Sequence, residues 1–504
     1  MGASSGKWYA EAYILTGDQS TNTPFLGLVS SKFLDNETIA SSSNSCVYYY
    51  SGYTRTNGTL SGSAEFATYN AGDIIGIAFN ANDNEVTFYK NNSSQGTKSL
   101  TSDEYVFISG KSGGTPVLVW NFGQDSSFAG NKTSGAAGSD FYYTPPTGFK
   151  ALNTDNLSDP SIADPTAYFN TVLYTGNNGS NQSVTGVNFS PDFLWLKPRD
   201  YADNHGLIDS VRGGNYNLWS NSTSAEQDNT GGNDAVTLDS DGFTVNRFSN
   251  SWNRNGYLFV SWNWKAGGTA SNNEDGTITS SVSANTDAGF SIISYTGNGT
   301  NGATVGHGLS QKPDLVIYKA RSQASHNWIV YSSPLGATKR LKLDLTDAES
   351  TSSSQFNDTE PTSSVVTLGT FNNINQSSET FIAYAFHSVD GFSKIGTYQG
   401  NGNNDGPFIY TGFQPAFFLV KKYAIVGGDN WAIYDNKRNE TNVMNTQVYP
   451  DSSSTEESSS ARNIDFVSNG IKIRGTNSRT NDASTHSFLY MAFAEFPFKT
   501  SNAR

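Results

Sequence analysis

A glycine string inside the stretch SYTGNGTNGATVGHGL is the first feature of this chain that could carry chemistry. Gly297, Gly299 and Gly302 have the spacing G-x-G-x-x-G, which in dinucleotide-binding proteins brings a tight turn against a pyrophosphate. That site needs the glycines to open a helix and an acidic residue about 20 residues later to hold the ribose. Here a polar loop and the apolar strand DLVIY follow instead. We therefore interpret the string as a hairpin loop, because Gly and Asn tolerate positive φ in tight turns.

Acidic and histidine side chains that could catalyse a reaction are present, but their spacing does not assemble a known site. Paired carboxylates hydrolyse glycosidic bonds in depolymerases, and the candidate pairs are Asp200 with Asp203 and Asp344 with Asp347. We interpret both pairs as solvated loop acids. The five histidines lack metal-ligand spacing, and no G-x-S-x-G elbow supports a serine nucleophile. The sequence therefore predicts no catalytic residue, no metal site and no cofactor.

Aromatic side chains in or beside polar loops are better candidates for binding a ligand. Aromatic rings stack on the faces of sugars, and Asn, Asp and Ser side chains hydrogen-bond sugar hydroxyls at little entropic cost. A core position is the alternative for each ring, because aromatic residues of β modules commonly pack inside. The candidate ligand-binding residues are Tyr48, Tyr49, Tyr50, Tyr53, Tyr216, Trp219 and Trp252.

The composition of the 504 residues favours strands and argues against several classes of partner. Aromatic residues reach 13%, Thr and Val are common, and helix formers are scarce. The net charge of −14 repels phosphate backbones, so we expect no nucleic-acid partner. No apolar run approaches the roughly 18 residues of a membrane span, and the N-terminus shows no signal peptide. The single cysteine, Cys46, is expected to be a buried thiol in a strand.

Three copies of one pattern follow residue 150. Each copy has an aromatic strand, a Gly/Asn-rich loop, an apolar strand after a proline, and a closing strand with period-two aromatics. The markers are Tyr174, Tyr295 and Tyr398, then Pro191, Pro313 and Pro415, and closing strands that we align as residues 259–264, 381–386 and 490–495. We interpret residues 151–268, 269–391 and 392–504 as three β-sandwich or jelly-roll-like domains, each with its own core, and residues 271–280 as a linker.

The alignment of the copies also assigns equivalent residues between the apolar strand and the polar loops. On the third strand we align Leu207 with Trp328 and Trp431. The same alignment places His205 and His326 opposite Asp429, where a loop hydrogen-bonding role is expected.

Residues 1–150 do not fit this repeat and carry four motifs of their own. GKWYAE at 6–11, GDIIG at 72–76, VTFYKN at 86–91 and WNFG at 120–123 resemble, in this order, the motifs of the SPRY domain, a concanavalin-like β-sandwich. One departure is Asn92, which stands where that family has glycine. The resemblance implies a binding fold rather than an enzyme, with a partner that the variable loops leave open. Trp8, Phe88 and Trp120 are expected in its core.

The remainder is similar to the tandem β modules of structural and appendage proteins from marine tailed phages. The residues that carry this are YTGN at 174–177, PDFLWLK at 191–197, DSVRG at 209–213, SNSTSAE at 220–226, SDGF at 240–243 and VSWNWKAGG at 260–268. The second and third copies keep the frame but lose DSVRG and most of the last motif. The order of a SPRY-like part followed by these repeats is itself phage-like.

The combined expectation is an all-β protein: an N-terminal SPRY-like β-sandwich followed by three tandem β-sandwich or jelly-roll-like domains. The resemblance implies a non-enzymatic virion structural protein, a tail fibre or other host-facing appendage, made in the host cytoplasm. Its partners would be other virion proteins and host surface polysaccharide, bound multivalently by a homo-oligomer such as a trimer. The alternatives are a capsid decoration or spacer without a host ligand, a polysaccharide depolymerase, and a secreted bacterial lectin.

Overall fold

The computed structural model divides the chain into two compact units, Met1–Asp159 (unit 1) and Pro160–Arg504 (unit 2). It describes the chain apart from residues 1, 4, 19–20, 31–43, 134, 136–139, 154–155, 157–158, 180, 233, 246–250, 425–427, 484–485 and 502–504. Strands make up almost all of the regular secondary structure in both units, which confirms the expected all-β fold. None of the described helices is long and apolar enough to cross a membrane.

Unit 1 consists of two antiparallel sheets packed face to face. One sheet has the order β1-β10-β3-β4-β5-β6, and the other has the order β11-β2-β7-β8-β9 with β12 added in parallel to β2. The strands are β1 (Gly2–Ala3), β2 (Lys7–Thr16), β3 (Thr23–Ser30), β4 (Ser45–Tyr49), β5 (Thr54–Thr56), β6 (Thr59–Leu60), β7 (Ile74–Asn80), β8 (Glu85–Lys90), β9 (Ser93–Ser99), β10 (Tyr105–Gly113), β11 (Val117–Asn121) and β12 (Lys150–Ala151).

The core of unit 1 lies between these two sheets. Trp8 and Phe88 are buried there as expected, the Cys46 thiol is buried and free, and Trp120 is only partly buried. Glu11 is buried because its carboxylate accepts the backbone N–H groups of Tyr142 and Tyr143 at 2.8 and 2.9 Å. The glutamate of the GKWYAE motif therefore fastens the segment after β11 to the sandwich.

Unit 2 contains three repeats built on one strand order. The large sheet of each repeat contains the path β13-β21-β15-β16, β24-β31-β26-β27 or β32-β40-β34-β35, and a small sheet covers one of its faces. Repeat 1 has β13 (Phe169–Thr175), β14 (Gln182–Thr185), β15 (Phe193–Pro198), β16 (Gly206–Asp209), β17 (Tyr216–Trp219), β18 (Gln227–Asp228), β19 (Val236–Asp239), β20 (Gly242–Val245) and β21 (Leu258–Trp264).

The other two repeats keep this frame with local additions. Repeat 2 has β22 (Ser271–Asn273), β23 (Ser280–Asn285), β24 (Phe290–Thr296), β25 (Ala303–Gly306), β26 (Leu315–Ala320), β27 (Ile329–Ser332), β28 (Lys339–Lys342), β29 (Ser350–Thr351), α1 (Ser353–Phe356), β30 (Val365–Leu368), α2 (Asn372–Asn375) and β31 (Thr380–Phe386). Repeat 3 has β32 (Ser393–Gln399), β33 (Phe408–Tyr410), β34 (Phe413–Lys422), β35 (Ala432–Asp435), β36 (Thr446–Gln447), β37 (Glu457–Ser458), β38 (Ile464–Val467), β39 (Gly470–Ile473) and β40 (Ser487–Pro497). Short 3-10 turns occupy Pro165–Ala167, Ser460–Arg462 and Phe498–Thr500.

Both faces of each large sheet are buried, which explains the continuous apolar runs of β15, β26 and β34. One face packs on the small sheet of its own repeat and forms a separate core there. The opposite faces of all three large sheets meet in one shared core. Equivalent residues in that core include Trp195, Ile317 and Leu419; Leu207, Val330 and Ile433; and Trp264, Phe386 and Phe493. The expectation of one core per repeat therefore describes only half of the packing.

Strand pairing corrects three assignments of the sequence alignment. Leu207 is equivalent to Val330 and Ile433 rather than to Trp328 and Trp431, because the pairs Trp195–Leu207, Ile317–Val330 and Leu419–Ile433 are in register. The same register makes His205 equivalent to Trp328 and Trp431, so the alignment of His205 with His326 and Asp429 is wrong. In the closing strand of repeat 3, Phe488 rather than Tyr490 matches Phe259 and Phe381. Residues 271–280 are not wholly a linker, since β22 pairs with β23.

Candidate binding surface

Three equivalent seams join the repeats of unit 2 in a closed ring. In each seam the backbone N–H of a glutamate donates to the carbonyl of the residue that directly follows β15, β26 or β34. The 1–2 seam joins Glu226 to Arg321 at 2.8 Å, the 2–3 seam joins Glu349 to Tyr423 at 2.9 Å, and the 3–1 seam joins Glu456 to Arg199 at 2.8 Å. Ion pairs strengthen two seams, Arg321 with Glu226 and Arg199 with Glu456, both at 2.8 Å. The repeats are therefore related by an approximate threefold rotation.

This rotation fixes where equivalent loops lie. A rotation keeps every point at the same height along its axis, so the three Gly/Asn-rich loops lie at one height along the ring. The loops follow β13, β24 and β32, and most of their described residues are exposed. The ring therefore carries three equivalent polar loops.

A buried asparagine holds each of these loops from beneath. In repeat 2 the Oδ1 of Asn375 accepts the N–H groups of Asn298 and Gly299 at 3.0 and 3.3 Å, while its Nδ2 donates to the carbonyls of Thr300 and Gly369 at 2.9 and 2.8 Å. Asn481 of repeat 3 makes the same four bonds, Asn253 of repeat 1 makes the three bonds to its own loop, and all three side chains are fully buried. Each asparagine thus satisfies amides and carbonyls of the loop above it.

An aromatic pair supports each of these buried asparagines, Asn253, Asn375 and Asn481, which we call clamps. The tyrosine at the end of the first strand stacks on a phenylalanine of the closing strand, and its hydroxyl donates to the carbonyl of the residue before the clamp. The stacked pairs are Tyr174 with Phe259 at 4.9 Å, Tyr295 with Phe381 at 5.2 Å and Tyr398 with Phe488 at 4.9 Å between ring centroids, and the carbonyls are those of Trp252, Ile374 and Thr480. The loops are thus preorganised by the strands below them.

The glycine string of repeat 2 is the loop between β24 and β25, so the predicted turn without a helix is confirmed. The two strands belong to different sheets and do not pair with each other, so the prediction of a hairpin is wrong. Gly299 and Gly302 have φ of 69° and 76°, in the left-handed region that disfavours other residues. A β-carbon on Gly297 would stand 2.4 Å from the carbonyl oxygen of Gln376. The glycines therefore serve the turn and its close approach to the neighbouring loop.

A buried lysine occupies the same position in all three repeats, next to the seams. Lys197, Lys319 and Lys421 are fully buried, and each ammonium donates to a backbone carbonyl of its own repeat, at Asp203, His326 and Asp429. Lys197 also donates to Ser453 of repeat 3 at 3.1 Å, and Lys421 to Thr346 of repeat 2 at 2.9 Å. Burial lowers the pKa of each lysine to about 8. Lys197 and Lys421 therefore link neighbouring repeats through main-chain carbonyls rather than carboxylates.

Two of the seams contain a buried carboxylate. Asp209 accepts the Nε of Arg212 at 2.6 Å and the hydroxyl of Tyr384 at 2.8 Å, which joins repeat 1 to repeat 2. Asp435 likewise accepts from Arg438 at 2.6 Å and from the indole N–H of Trp262 at 3.1 Å, which joins repeat 3 to repeat 1. In the remaining seam the equivalent residues are Ser332, Leu335 and Met491.

The seven aromatic candidates for ligand binding lie in different surroundings and do not form one site. Tyr48 and Trp252 are fully buried in separate cores, so neither ring is accessible to a ligand, and we remove both from the candidate surface. Tyr49, Tyr50 and Tyr53 are partly exposed in unit 1, and Tyr216 and Trp219 are partly exposed in unit 2. For these five residues ligand binding stays a prediction.

The acidic and histidine candidates are used by the fold. Asp344 is buried rather than solvated, because its carboxylate accepts from the backbone N–H of Trp328 at 3.1 Å and from Asn327 at 2.8 Å. Asp347 pairs with Lys342 at 3.0 Å. Burial holds the pKa of His205 well below its usual value, and its Nδ1 accepts the indole N–H of Trp195 at 2.9 Å. Within the described residues, no group of three or more His, Cys, Asp or Glu is placed to hold a metal ion.

Sequence reasoning missed the three clamping asparagines. The signal was present as the dipeptides Trp252-Asn253, Ile374-Asn375 and Thr480-Asn481, each five or six residues before a closing strand. This dipeptide pattern is easily overlooked in a chain so rich in asparagine, because only the buried asparagines hold a loop.

Comparison with known proteins covers both units. No curated protein sequence matches the chain. The SPRY domain of human HERC1 is similar at 19% identity, with a TM-score of 0.21, covering 23% of this chain and 74% of that one. A human SPRY domain is similar at 20% identity, with a TM-score of 0.20, covering 23% of this chain and 80% of that one. The model of one family matches residues 164–497, which span all three repeats, and the chain belongs to that family, described as a domain of unknown function (DUF7483).

Proposed function

We propose that this protein is a non-enzymatic structural component of a virion, a tail fibre or another host-facing appendage that binds cell-surface glycans through exposed loops. The observation that carries the proposal is the set of three equivalent Gly/Asn-rich loops of the ring. Each loop is exposed, polar and held by a buried asparagine. Rigid polar loops lose little conformational entropy when they bind hydroxyl-rich ligands.

Weak contacts in such an arrangement add up. A single loop that hydrogen-bonds a sugar gains little free energy, but three loops on one rigid ring raise the effective concentration of the second and third contacts. A polysaccharide repeats its own units and matches this arrangement. Copies of the chain in an appendage would multiply the effect further.

The ring also suits a protein that serves outside a cell without disulfides. The chain has one cysteine, so cross-links within the chain are not available. The shared core, the buried lysines and the ion-paired seams hold residues 160–504 together instead. These features support a structural role, and the surface loops support attachment.

Immunogold labelling of intact virions with an antibody against residues 1–150 tests the location. Label at tail or fibre tips is expected. Label spread over the head would favour a decoration protein without a host ligand, and no label on any particle would contradict the virion assignment. Host-cell binding by the purified full chain, measured with and without soluble host polysaccharide as competitor, tests the attachment role separately.

A further inference from the structure

One arginine beside the Gly/Asn-rich loop of repeat 1 lies against two tyrosine rings. The guanidinium carbon of Arg254 lies 4.5 Å from the ring centroid of Tyr257 and 5.2 Å from that of Tyr201. The two rings meet edge to face at 4.7 Å, and the Tyr201 hydroxyl donates to the carbonyl of Ser251 at 2.8 Å. Both rings are partly exposed and Arg254 is exposed. Stacking on rings fixes the plane of a guanidinium while leaving its N–H edge open.

The partners of Arg254 differ from those of the other arginines in unit 2. Within the described part of residues 160–504, each other arginine has a carboxylate or hydroxyl partner, whereas no such bond or ion pair is made by Arg254. The partnered residues are Arg199, Arg212, Arg321, Arg340, Arg438, Arg462, Arg474 and Arg479. In a chain of net charge −14, an exposed arginine without an acidic partner has five donors available to a ligand.

The turn that carries Arg254 is rigid. It directly follows the clamp Asn253, and Gly256 donates its N–H to the carbonyl of Gly176 at 2.8 Å while Gly176 donates to Tyr257 at 2.9 Å. The turn and the Gly/Asn-rich loop of repeat 1 are thus bonded to each other as well as to the clamp. A ligand on Arg254 would also reach the exposed side chains of Asn177 and Asn178 in that loop.

Acidic groups near this site set its selectivity. Asp200, Asp203 and Asp234 are the carboxylates that act on Tyr201 alongside Arg254. Asp200 accepts the N–H of Leu258 at 3.0 Å, Asp203 accepts that of Asn204 at 2.8 Å, and Asp234 accepts the hydroxyl of Ser251 at 3.3 Å. None of them lies within ion-pair distance of Arg254. These three carboxylates disfavour a polyanion of high charge density. They do not exclude a single carboxylate at the N–H edge of the guanidinium, because salt at physiological concentration screens it from charges farther away.

We propose that Tyr201, Arg254 and Tyr257 form a subsite for a carboxylate-bearing sugar, with the guanidinium binding the carboxylate in a bidentate manner. The fork of N–H donors matches a planar carboxylate, and the asparagines of the adjoining loop supply hydrogen bonds for the sugar hydroxyls. The subsite rests on the proposed glycan-binding role and names the class of sugar for it. Repeats 2 and 3 have Gln376 and Asp482 at the equivalent position, directly after the clamp, so the subsite occurs once per ring.

Binding of a glucose oligosaccharide that carries a single glucuronate to the full chain, measured by isothermal titration calorimetry at 0.15 M salt, tests this proposal. The variants are Arg254→Gln, which removes the charge, and Arg254→Lys, which keeps the charge but loses the planar fork. The matched control is Arg474→Gln, which removes an exposed arginine of repeat 3 that pairs with Asp465. Neutral dextran oligosaccharides serve as the ligand control, and thermal unfolding of each variant confirms that it is folded.

We expect Arg254→Gln to weaken binding of the glucuronate-bearing oligosaccharide at least about tenfold, Arg254→Lys to weaken it less, and Arg474→Gln to leave it unchanged. No binding by the wild-type chain, equal binding by Arg254→Gln, or equal affinity for dextran would overturn the subsite. Host-cell binding separates this from the proposed function. If the wild type and Arg254→Gln bind cells equally, the subsite fails and attachment stands; if neither binds cells, attachment fails as well.

Discussion

The 1–2 and 3–1 seams of the ring differ from the 2–3 seam in chemistry although their backbones are equivalent. In the first two, a buried aspartate accepts from an arginine of its own repeat and from a tyrosine or tryptophan of the next. In the third, Ser332, Leu335 and Met491 stand at these positions. The donor on the next repeat and the carboxylate that accepts from it are present together or absent together. The buried carboxylate is therefore kept only where an arginine of its own repeat and a donor of the next repeat both face it.

The largest effect that distinguishes the seams is expected from Asp209→Asn. The change keeps the shape of the side chain but leaves the buried Arg212 without its closest carboxylate, and Glu226 at 3.1 Å compensates only in part. Breaking a buried pair in this way costs about 3–5 kcal/mol. Urea unfolding followed by tryptophan fluorescence measures it, since the six fully buried tryptophans all lie in unit 2.

Ser332→Ala is the matched control in the third seam. Its hydroxyl lies in the same place but has no carboxylate or arginine to satisfy, so a loss below about 1 kcal/mol is expected. Equal losses for the two variants would show that the buried ion pair is not what separates the seams.

The three strand lysines are common to all repeats and predict an unusual pH dependence. At pH 9 a lysine with pKa about 8 is neutral in the folded chain, whereas in the unfolded chain it is protonated. Unfolding then takes up protons, so the free energy of unfolding rises as pH increases through 8 toward 9. Each lysine contributes a slope of up to about 1.4 kcal/mol per pH unit.

Single Lys→Met variants at positions 197, 319 and 421 measure these contributions. Each variant is expected to reduce the slope of the free energy of unfolding against pH, whatever its effect on stability at a single pH. Restricting the comparison to pH 8–9 limits the opposing contribution of buried tyrosines, whose pKa values burial raises. Identical slopes in wild type and variants would mean that the ammonium groups keep their usual pKa inside the seams. A lysine whose removal alters the slope less than the other two would identify the repeat whose seam admits water.

The clamping asparagines offer a smaller effect that should be equal in all three repeats. Asn375→Ala removes four hydrogen bonds and leaves the amide of Asn298 without its acceptor, whereas the amide of Gly299 still donates to the backbone carbonyl of residue 375. We expect a loss of about 2 kcal/mol, together with faster hydrogen exchange of the Asn298 amide. Asn301→Ala, an exposed change in the same loop, serves as the control and is expected to cost less than about 0.5 kcal/mol. Unchanged exchange in Asn375→Ala would show that the loop does not depend on the clamp.

The sequence is sufficient for the strand content, the three copies and the turn made by the glycine string, because these follow from local period-two patterns and turn residues. It is insufficient for the pairing of the strands on either side of that turn, which belong to different sheets. It is also insufficient for the register of the third strand. The sequence alignment matches Trp328 and Trp431 with Leu207 because all three are apolar, but their structural equivalent is His205. The His205 ring occupies the same place and accepts a hydrogen bond from the indole N–H of Trp195. From sequence alone, a polar residue that is buried with one hydrogen-bond donor cannot be distinguished from a polar residue in a loop.

The shared core was also beyond the sequence, for a physical reason. Burial on both faces gives β15 and β26 continuous apolar runs, and such runs identify a covered strand without saying what covers it. Whether the covering element is the small sheet of the same repeat or the large sheet of another is decided by contacts between residues over 100 positions apart, such as Trp262 with Asp435. The asparagine clamps and the seams also depend on contacts between residues that are far apart in the sequence.

The smallest expected effect comes from converting one kind of seam into the other. The triple variant Asp209→Ser, Arg212→Leu, Tyr384→Met gives the 1–2 seam the residues of the 2–3 seam. Replacing a complete buried ion network by apolar side chains is often neutral or stabilising, so we expect the triple variant to unfold within about 1.5 kcal/mol of the wild type, although Asp209→Asn alone loses about twice that or more. The backbone bond from Glu226 to Arg321 remains to hold the seam. A triple variant as unstable as the single one would mean that the polar network itself, and not only its completeness, is needed to close the ring between repeats 1 and 2.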